Sequence, residues 1–226
     1  MASYVFPPLA PPAVPVLGST ALFPVRRILC VGRNYAAHRR EMGGEDRDPP
    51  FFFAKPADAV VPLGGAILYP SATADFHHEV ELVVALSEGG SDIAVEGAHS
   101  LVFGYAVGVD LTRRDQQAAA RAKGQPWDAA KGFDRSAPVG AIRRASGPAP
   151  GGRITLSVNG AMRQQASVSD MIWNVGEIIA QASALWRLAP GDLIFTGTPD
   201  GVGPLSRGDA VRAEIEDVGS LDFTVT

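Results

Sequence analysis

Three carboxylates form the first group of residues in this sequence that could carry chemistry. Glu79 and Glu81 alternate in EVELVVAL, so a strand would send both side chains to one face, and Asp110 ends the apolar run GYAVGV. Two carboxylates so close repel each other, and a hard divalent cation bound between them removes that repulsion. All-oxygen ligands suit Mg²⁺, Mn²⁺ or Ca²⁺ better than zinc. The alternative is the solvated face of an edge strand, although the apolar run after Glu81 favours a buried strand.

A histidine followed three residues later by a carboxylate forms the second group. His38 and Glu41 lie in AAHRREM, where helical spacing places both side chains on one face. A hydrogen bond to Glu41 would orient the imidazole and raise its basicity, an arrangement typical of a general base. An exposed polar pair on a charged helix has the same spacing, and the residues alone leave both interpretations open.

The third group consists of polar and basic residues that follow Asp110. Arg114 and Gln117 are three residues apart, and Lys131 returns after a Gly-Gln-Pro-Trp loop. Together they could stabilise a negatively charged oxygen, although a solvated helix and a loop lysine give the same pattern. The small-residue loop TGTPDGVG at 196–203 either offers backbone donors to a carboxylate or closes a β core. Cys30, inside an apolar strand, is predicted to be a core residue.

Short strands are the elements that would position these groups. Apolar runs rich in Val, Ile, Leu and Phe are separated by Pro, Gly and Ser, which is typical of a β-rich core. The Asn159-Gly160 pair predicts a hairpin turn. The pattern predicts strands over 25–31, 79–86, 101–109 and 153–159.

Helices are predicted to be few. Apolar residues at helical spacing indicate that the longest one covers 172–188, with Ser169 or Asp170 as its N-cap. Asn34 can cap a short helix that runs to Met42. With the strands, these elements predict a β-rich α+β fold.

Length and composition indicate one sizeable domain with an appendage. The chain has 226 residues, of which 46% are apolar and 19% charged, which excludes intrinsic disorder. Its 25 glycines and 18 prolines favour strands and loops over a helix bundle. The prolines near the start predict an extended arm over 1–20, and the domain is then predicted over 21–226.

Charge, hydropathy and cysteine content indicate which partners and which location to expect. The net charge is −4 and no lysine or arginine tract occurs, so nucleic acid is not expected as a partner. No window approaches the roughly 18–20 apolar residues that cross a bilayer, so no membrane span is expected. The single cysteine and the absence of a signal-peptide pattern predict a cytoplasmic protein. The usual signatures of nucleotide binding and serine hydrolysis are missing.

Seven segments in order resemble the fumarylacetoacetate hydrolase superfamily over residues 25 to about 215. Each segment alone is a weak indication of the family, but their occurrence together in this order and spacing is specific. Within the superfamily, the SYVFPP opening and FPVRRILCVGRNYAAH are most similar to bacterial fumarylpyruvate hydrolases. The segments are CVGRNYAAH-x-x-E, FFFAKP, DFHHEVELVV, GYAVGVDLTRRDQQ, KGQPWDAAKGFDRSAPVG, VNG-x-x-RQ and PGDLIFTGTPDGVGPL.

The resemblance implies a fold, an assembly and a set of site residues. The fold would be a mixed β-roll core with few short helices, in a homodimer that binds Mg²⁺ or Mn²⁺. A lid at about 34–50 would order when substrate binds. The roles implied are metal ligands for Glu79, Glu81 and Asp110; a water-activating pair for His38 and Glu41; substrate and oxyanion contacts for Arg114, Gln117 and Lys131; and further substrate contacts for Lys55 and Thr198.

The activity implied is metal-dependent hydrolysis of the carbon–carbon bond of an acylpyruvate, a small 2-oxo acid. With fumarylpyruvate, a compound of the gentisate route of aromatic catabolism, the products are fumarate and pyruvate. The alternative is an oxaloacetate decarboxylase or tautomerase of the same superfamily, which would share the metal site. His38 and Glu41 favour hydrolysis, because decarboxylation needs no activated water. The same pair disfavours a non-catalytic metal-binding protein.

Overall fold

Strands dominate the computed structural model, which describes residues 4–35 and 48–226. The described strands are β1 (Ala13–Pro15), β2 (Leu22–Pro24), β3 (Arg27–Gly32), β4 (Phe51–Lys55), β5 (Val60–Pro62), β6 (Gly65–Ile67), β7 (Phe76–His78), β8 (Val80–Leu86), β9 (Val102–Val109), β10 (Thr112–Arg113), β11 (Ala137–Val139), β12 (Arg143–Arg144), β13 (Arg153–Val158), β14 (Ala161–Ser167), β15 (Asp192–Phe195), β16 (Gly203–Pro204), β17 (Ala210–Ile215) and β18 (Gly219–Val225).

Helices in the same ranges are short. The α-helices are α1 (Val95–Ala98), α2 (Arg114–Ala122), α3 (Asp128–Lys131) and α4 (Val175–Leu185), and 3₁₀ turns cover Ala57–Ala59, His99–Leu101 and Val168–Asp170. As predicted, the helix in the 172–188 region is the longest of those described. Over residues 4–35 and 48–226, no helix has both the length and the apolar character needed to span a membrane.

Two large sheets build the core. An eight-stranded sheet has the order β4-β3-β15-β8-β9-β11-β5, with β12 also paired to β9, and a five-stranded sheet has the order β14-β13-β17-β18-β6. Both sheets are mixed: β15 is parallel to β3 and antiparallel to β8, and β18 is parallel to β6. The predicted β-rich α+β fold with a mixed β-roll core and few short helices is confirmed.

The two faces of β8 pack into different cores because side chains alternate along a strand. Leu82 and Val84 join the larger core, which also contains Leu156 from the five-stranded sheet. Val83 and Ala85 join the second core on the opposite face. Glu81 and Glu79 continue that second series toward the start of the strand, where the apolar face ends.

The N-terminal segment divides near residue 12. Residues 4–11 are exposed, whereas Val14 is fully buried in the second core. Among the strands of the described ranges, β1 pairs with β2 alone, outside the central sheet. The Ile142 N–H ties it to the domain by donating to the Pro15 carbonyl at 2.8 Å. Pro12 and Pro15 lack N–H groups, which keeps this pairing short.

The start of α4 differs from the prediction. Its N-cap is Asn174, whose Oδ1 accepts from the Glu177 N–H at 3.0 Å, while the Glu177 carboxylate accepts from the Asn174 N–H. The predicted caps Ser169 and Asp170 are wrong, because they belong to the preceding 3₁₀ turn. The backbone before the helix is not helical: Asn174 is extended, and the Ile172 and Trp173 N–H groups donate to the Asn34 carbonyl and the Asn34 side chain, each at 2.8 Å.

Replacing Asn174 by alanine is expected to lower the free energy of unfolding by about 1 kcal/mol, because the first turn of α4 loses its side-chain acceptor. Urea denaturation monitored by circular dichroism measures the change. Ser169→Ala is the matched control, and its effect is expected to stay within about 0.5 kcal/mol. A larger loss for Ser169→Ala than for Asn174→Ala would contradict the assignment of the cap.

Candidate active site

Three buried carboxylates meet where β8 begins and β9 ends. Glu81 pairs with Gly108 across the two strands, and the Asp110 N–H donates to the Glu79 carbonyl at 2.8 Å, so the pairing continues past the strand ends. Because directly opposite residues point to the same face, the three side chains converge. One oxygen from each of Glu79, Glu81 and Asp110 lies within 4.8 Å of the others.

Cationic side chains contact two of these carboxylates. The Lys131 ammonium lies 2.8 Å from Glu79 Oε2 and 2.6 Å from Asp110 Oδ2. Arg114 binds the other oxygen of Glu79, and Lys55 lies 2.8 Å from Asp110 Oδ1. All these contacts are at least partly shielded from water, so they are screened less than surface ion pairs.

The contacts with cations govern the ionisation of Glu79 and Lys131. Burial alone would raise the pKa of Glu79, but the charges of Lys131 and Arg114 outweigh it and hold the pKa far below its ordinary value. Burial alone would lower the pKa of Lys131, and the nearby Asp110 and Glu79 carboxylates raise it instead. Both groups are therefore charged at neutral pH.

Glu81 is the carboxylate that lacks a cation among the described residues. Its Oε2 accepts from the Gly197 N–H at 2.7 Å. Burial raises the pKa of Glu81 well above its ordinary value, and the charges of Asp110 and Glu79 raise it further. The side chain thus faces an excess of negative charge, which a divalent cation between the three carboxylates would remove. The donor set, all carboxylate oxygen, fits Mg²⁺ or Mn²⁺.

A small cavity adjoins the carboxylates. Its volume is about 30 Å³, which is enough space for a water molecule. Glu79, Glu81, Arg114, Gln117 and Lys131 line it together with Thr198, Arg33, Phe53 and Trp127. The structure therefore places six of the predicted site residues on one cavity.

Arg114, Gln117 and Lys131 reach this cavity from two short helices. Arg114 begins α2, and one helical turn later Gln117 Oε1 accepts a hydrogen bond from Arg114 Nη1. Lys131 ends α3, where its ammonium also donates to Thr112 Oγ1 at 2.7 Å. The solvated-helix alternative does not hold for Gln117 and Lys131, since both side chains are buried.

Lys55 lies behind Asp110 in the structure. Its ammonium is fully buried and contacts the Asp110 carboxylate, the Leu111 carbonyl at 3.2 Å and the Lys131 carbonyl. These partners give Lys55 a supporting role for Asp110. Its predicted contact with substrate stays a prediction. Cys30, also buried, is confirmed as a core residue, and burial raises the pKa of its thiol.

Two histidines whose roles the sequence left open face different surroundings. His77 Nε2 lies 2.7 Å from Asp75 Oδ1, and Arg114 Nε points at His77 Nδ1 from 3.4 Å. His78 Nδ1 lies 3.0 Å from Gln164 Oε1 on the opposite face of the strand. Neither histidine belongs to the group of three carboxylates.

Asn34 and Gln164 connect the site to the rest of the molecule and were not predicted to do so. Asn34 Nδ2 donates to the Thr196 and Trp173 carbonyls at 2.8 and 2.9 Å. Gln164 Nε2 donates to Thr198 Oγ1 at 2.8 Å. Spacing carries no signal for a lone amide residue. Both residues do lie in segments that resemble the superfamily, Asn34 in CVGRNYAAH and Gln164 in VNG-x-x-RQ, and that is the signal that could have found them. His38, Glu41 and most of the predicted lid at 34–50 lie outside the described residues.

The stability of the metal-free protein is expected to carry a pH-dependent contribution from Glu81. Its pKa is higher in the folded than in the unfolded chain, so its contribution is complete below the unfolded value and is lost as the pH rises through the folded one. A divalent cation replaces the proton. The increase in Tm on adding Mn²⁺ should therefore be larger at pH 8 than at pH 5.

Differential scanning fluorimetry at both pH values measures this effect. Glu81→Gln cannot ionise at this position and serves as the reference. The difference in Tm between the wild type and this variant isolates the contribution of Glu81 from that of all other groups. An identical dependence of Tm on pH and Mn²⁺ in the wild type and in Glu81→Gln would contradict the prediction.

Comparison with known proteins places this site in a family. The family model described as "Fumarylacetoacetate (FAA) hydrolase C-terminal" matches residues 27–226. A crystal structure of fumarylpyruvate hydrolase from Pseudomonas aeruginosa in complex with Mn²⁺ and pyruvate superimposes with a TM-score of 0.97, at 48% identity and over 99% of both chains.

Curated relatives have different activities. Fumarylpyruvate hydrolase from a Ralstonia species is 42% identical over 77% of this chain and 92% of its own length. The mitochondrial oxaloacetate tautomerase FAHD1 of Mus musculus is 43% identical over 88% of this chain and 91% of its own. These matches show the family, and within it the similar relatives include both a fumarylpyruvate hydrolase and an oxaloacetate tautomerase. The chain is an enzyme of the fumarylacetoacetate hydrolase family.

Proposed function

We propose that this enzyme hydrolyses the carbon–carbon bond of an acylpyruvate, with fumarylpyruvate as the preferred substrate and fumarate and pyruvate as products. The observation that carries the proposal is the likeness to the Pseudomonas aeruginosa fumarylpyruvate hydrolase, which extends over 99% of both chains. In sequence alone, the Ralstonia hydrolase and the mouse tautomerase are about equally similar to this chain, at 42% and 43% identity.

The charges of the site suit a dianionic substrate. When ionised, Glu79, Glu81 and Asp110 carry three negative charges. Lys55, Lys131 and Arg114, which contact Glu79 and Asp110, balance them in number. A bound divalent cation adds two positive charges, which a substrate with two carboxylates would neutralise. Fumarylpyruvate and oxaloacetate are both such dianions, so the charge balance favours either of them over the monoanion acetylpyruvate.

The orientation of Gln117 supports a role in stabilising negative charge. Its Oε1 accepts from Arg114, so its amide nitrogen is the group left to donate toward the cavity. Donors fixed before the reaction stabilise a developing oxyanion at little reorganisation cost. Arg114, held by Glu79, has further N–H groups to add to this set. The three N–H groups of Lys131 are already donated to Glu79, Asp110 and Thr112, so Lys131 contributes its positive charge.

In the proposed reaction, His38, oriented by Glu41, accepts a proton from the water molecule that attacks the distal carbonyl of the substrate. Arg114, Gln117 and Lys131 stabilise the resulting oxyanion. The carbon–carbon bond then breaks, and its electron pair leaves with pyruvate, which takes up a proton at C3. A divalent cation held by the three carboxylates would polarise the 2-oxo acid and stabilise the enolate charge of the departing pyruvate.

The alternative function is oxaloacetate tautomerase or decarboxylase, which the 43% identity to the mouse enzyme favours. A panel of fumarylpyruvate, maleylpyruvate, acetylpyruvate and oxaloacetate with Mg²⁺ or Mn²⁺ distinguishes the two. We expect the highest kcat/KM for fumarylpyruvate hydrolysis, measured as pyruvate release. With oxaloacetate, decarboxylation is measured as pyruvate release and tautomerisation as the change in absorbance of the enol. A higher kcat/KM for oxaloacetate, with slow cleavage of every acylpyruvate, would overturn the proposal.

The proposal includes a cytoplasmic homodimer that acts in gentisate catabolism, as the resemblance of its sequence motifs implies. Light scattering coupled to size-exclusion chromatography tests the assembly, and a mass equal to one chain would contradict it. Growth of a deletion strain on gentisate tests the role in catabolism, provided that growth on succinate serves as the control.

A further inference from the structure

Gln164 is a buried side chain that the proposed mechanism does not use, and protein groups satisfy both ends of its amide. The Val80 N–H donates to its Oε1 at 3.1 Å, and its Nε2 donates to the Pro199 carbonyl at 3.0 Å. A backbone N–H can only donate and a carbonyl can only accept, so these two contacts fix the orientation of the amide. The second N–H of Gln164 therefore donates to Thr198 Oγ1, at 2.8 Å.

This contact determines what the Thr198 hydroxyl can do. Thr198 is 3% exposed and lines the cavity beside Glu79 and Glu81. Because its oxygen accepts from Gln164, its own proton must point elsewhere. Within the described ranges, the bond from Gln164 is the one hydrogen bond of this hydroxyl. The proton is thus available to an acceptor in the cavity.

Gln164 also fixes the place of this hydroxyl relative to the three carboxylates. Its Oε1 lies against Val80 and His78, which flank Glu79 on both sides, whereas its Nε2 holds the 198–199 segment. One amide from β14 therefore ties the carboxylate-bearing strand to the Thr198 loop.

We infer that Gln164 is a positioning residue, which makes the Thr198 hydroxyl a hydrogen-bond donor to a carboxylate or 2-oxo oxygen of the bound substrate. The inference deepens the proposed function and rests on it, since the acceptor belongs to a 2-oxo acid. Thr198 contacts the ligand, and Gln164 acts through Thr198.

The test is a double-mutant cycle on ligand binding. Gln164→Glu keeps the shape of the side chain and, when ionised, leaves only acceptors at this position. The Thr198 hydroxyl then donates to the new carboxylate and is lost to the ligand. Calorimetry with the Mn²⁺-loaded protein and oxalate, a planar chelator that resembles a 2-oxo acid, measures the affinity. We expect a loss of about ten-fold for Gln164→Glu, the size of one hydrogen bond to a charged group.

Thr198→Val is expected to cause a similar loss, and the double variant less than two-fold more than Thr198→Val alone. If the added charge merely repelled oxalate, its effect would persist without the hydroxyl, and the two losses would multiply. That outcome, or an unchanged affinity in Gln164→Glu, would overturn the inference.

Gln164→Met removes the donor without adding charge and serves if the glutamate variant does not fold. We expect its oxalate affinity to fall several-fold, and again no further in the Thr198→Val background. The affinity for Mn²⁺ alone should stay within about two-fold in both single variants. An equal loss of Mn²⁺ affinity would assign Gln164 to the metal centre and overturn the inference.

Because oxalate binding requires no turnover, the cycle is independent of the substrate panel. A failure of fumarylpyruvate hydrolysis with an intact cycle would reject the proposed reaction and retain the role of Gln164. Efficient fumarylpyruvate hydrolysis with a failed cycle would retain the proposed reaction and reject the positioning role of Gln164.

Discussion

Replacing His38 by alanine is expected to lower the rate of acylpyruvate hydrolysis by roughly 10²- to 10⁴-fold, the usual contribution of a positioned general base. The expected loss follows from the role proposed for this residue, which is to accept a proton from the attacking water. Decarboxylation of oxaloacetate needs an electron sink but no activated water. Any such activity should therefore fall much less in the same variant.

Both rates are measured on one preparation, which controls for folding and metal content. His99→Ala is the matched control, because His99 is an exposed histidine on a 3₁₀ turn. If both rates fell equally in His38→Ala, His38 would serve substrate binding instead of water activation. If neither fell, the general base would be another residue.

Removal of the divalent cation is expected to abolish hydrolysis, and Mg²⁺ or Mn²⁺ should restore it. Glu81→Gln should then lower Mn²⁺ affinity by at least the roughly 10- to 100-fold that is typical for loss of an outer partner of a metal ligand. The loss should be large because Glu81 is the ligand that has no cation of its own among the described residues, so the metal is its compensating charge.

Dialysis against a chelator, followed by calorimetric titration with Mn²⁺, measures both effects. Glu88→Gln makes the same chemical change at an exposed position of the chain and should leave Mn²⁺ affinity unchanged. Full activity in excess chelator would reject the metal assignment. Equal Mn²⁺ affinities of Glu81→Gln and Glu88→Gln would remove Glu81 from the ligand set.

The part of the site that could be predicted from the sequence is the part encoded by local spacing. Alternation along one strand placed Glu79 and Glu81 on a common face, and one helical turn placed Arg114 next to Gln117. Both relations hold in the structure. The four predicted strands are also present in the structure. Their first or last residues differ from the predicted ones by no more than two positions.

Contacts between distant segments could not be predicted in this way. The position of Lys55 behind Asp110 depends on the pairing of β4 with β3, which local spacing does not encode. The start of α4 was misplaced because Asn34, far away in sequence, binds the backbone before it. Gln164 lies in the five-stranded sheet, and Thr198 follows a strand of the eight-stranded sheet. A contact between two sheets leaves no periodic pattern in the sequence.

The place of β15 in the large sheet bears on how the protein is made. This strand separates β3 from β8, although it follows both in the chain. At roughly 5–20 residues per second, a ribosome would need roughly 5–20 s after finishing β8 to deliver β15. During that interval two apolar strand edges stay open to unwanted pairing. Gly197, which binds Glu81, emerges later still. The metal centre can therefore assemble only near the end of synthesis, and a chain cut before residue 192 would expose those edges permanently.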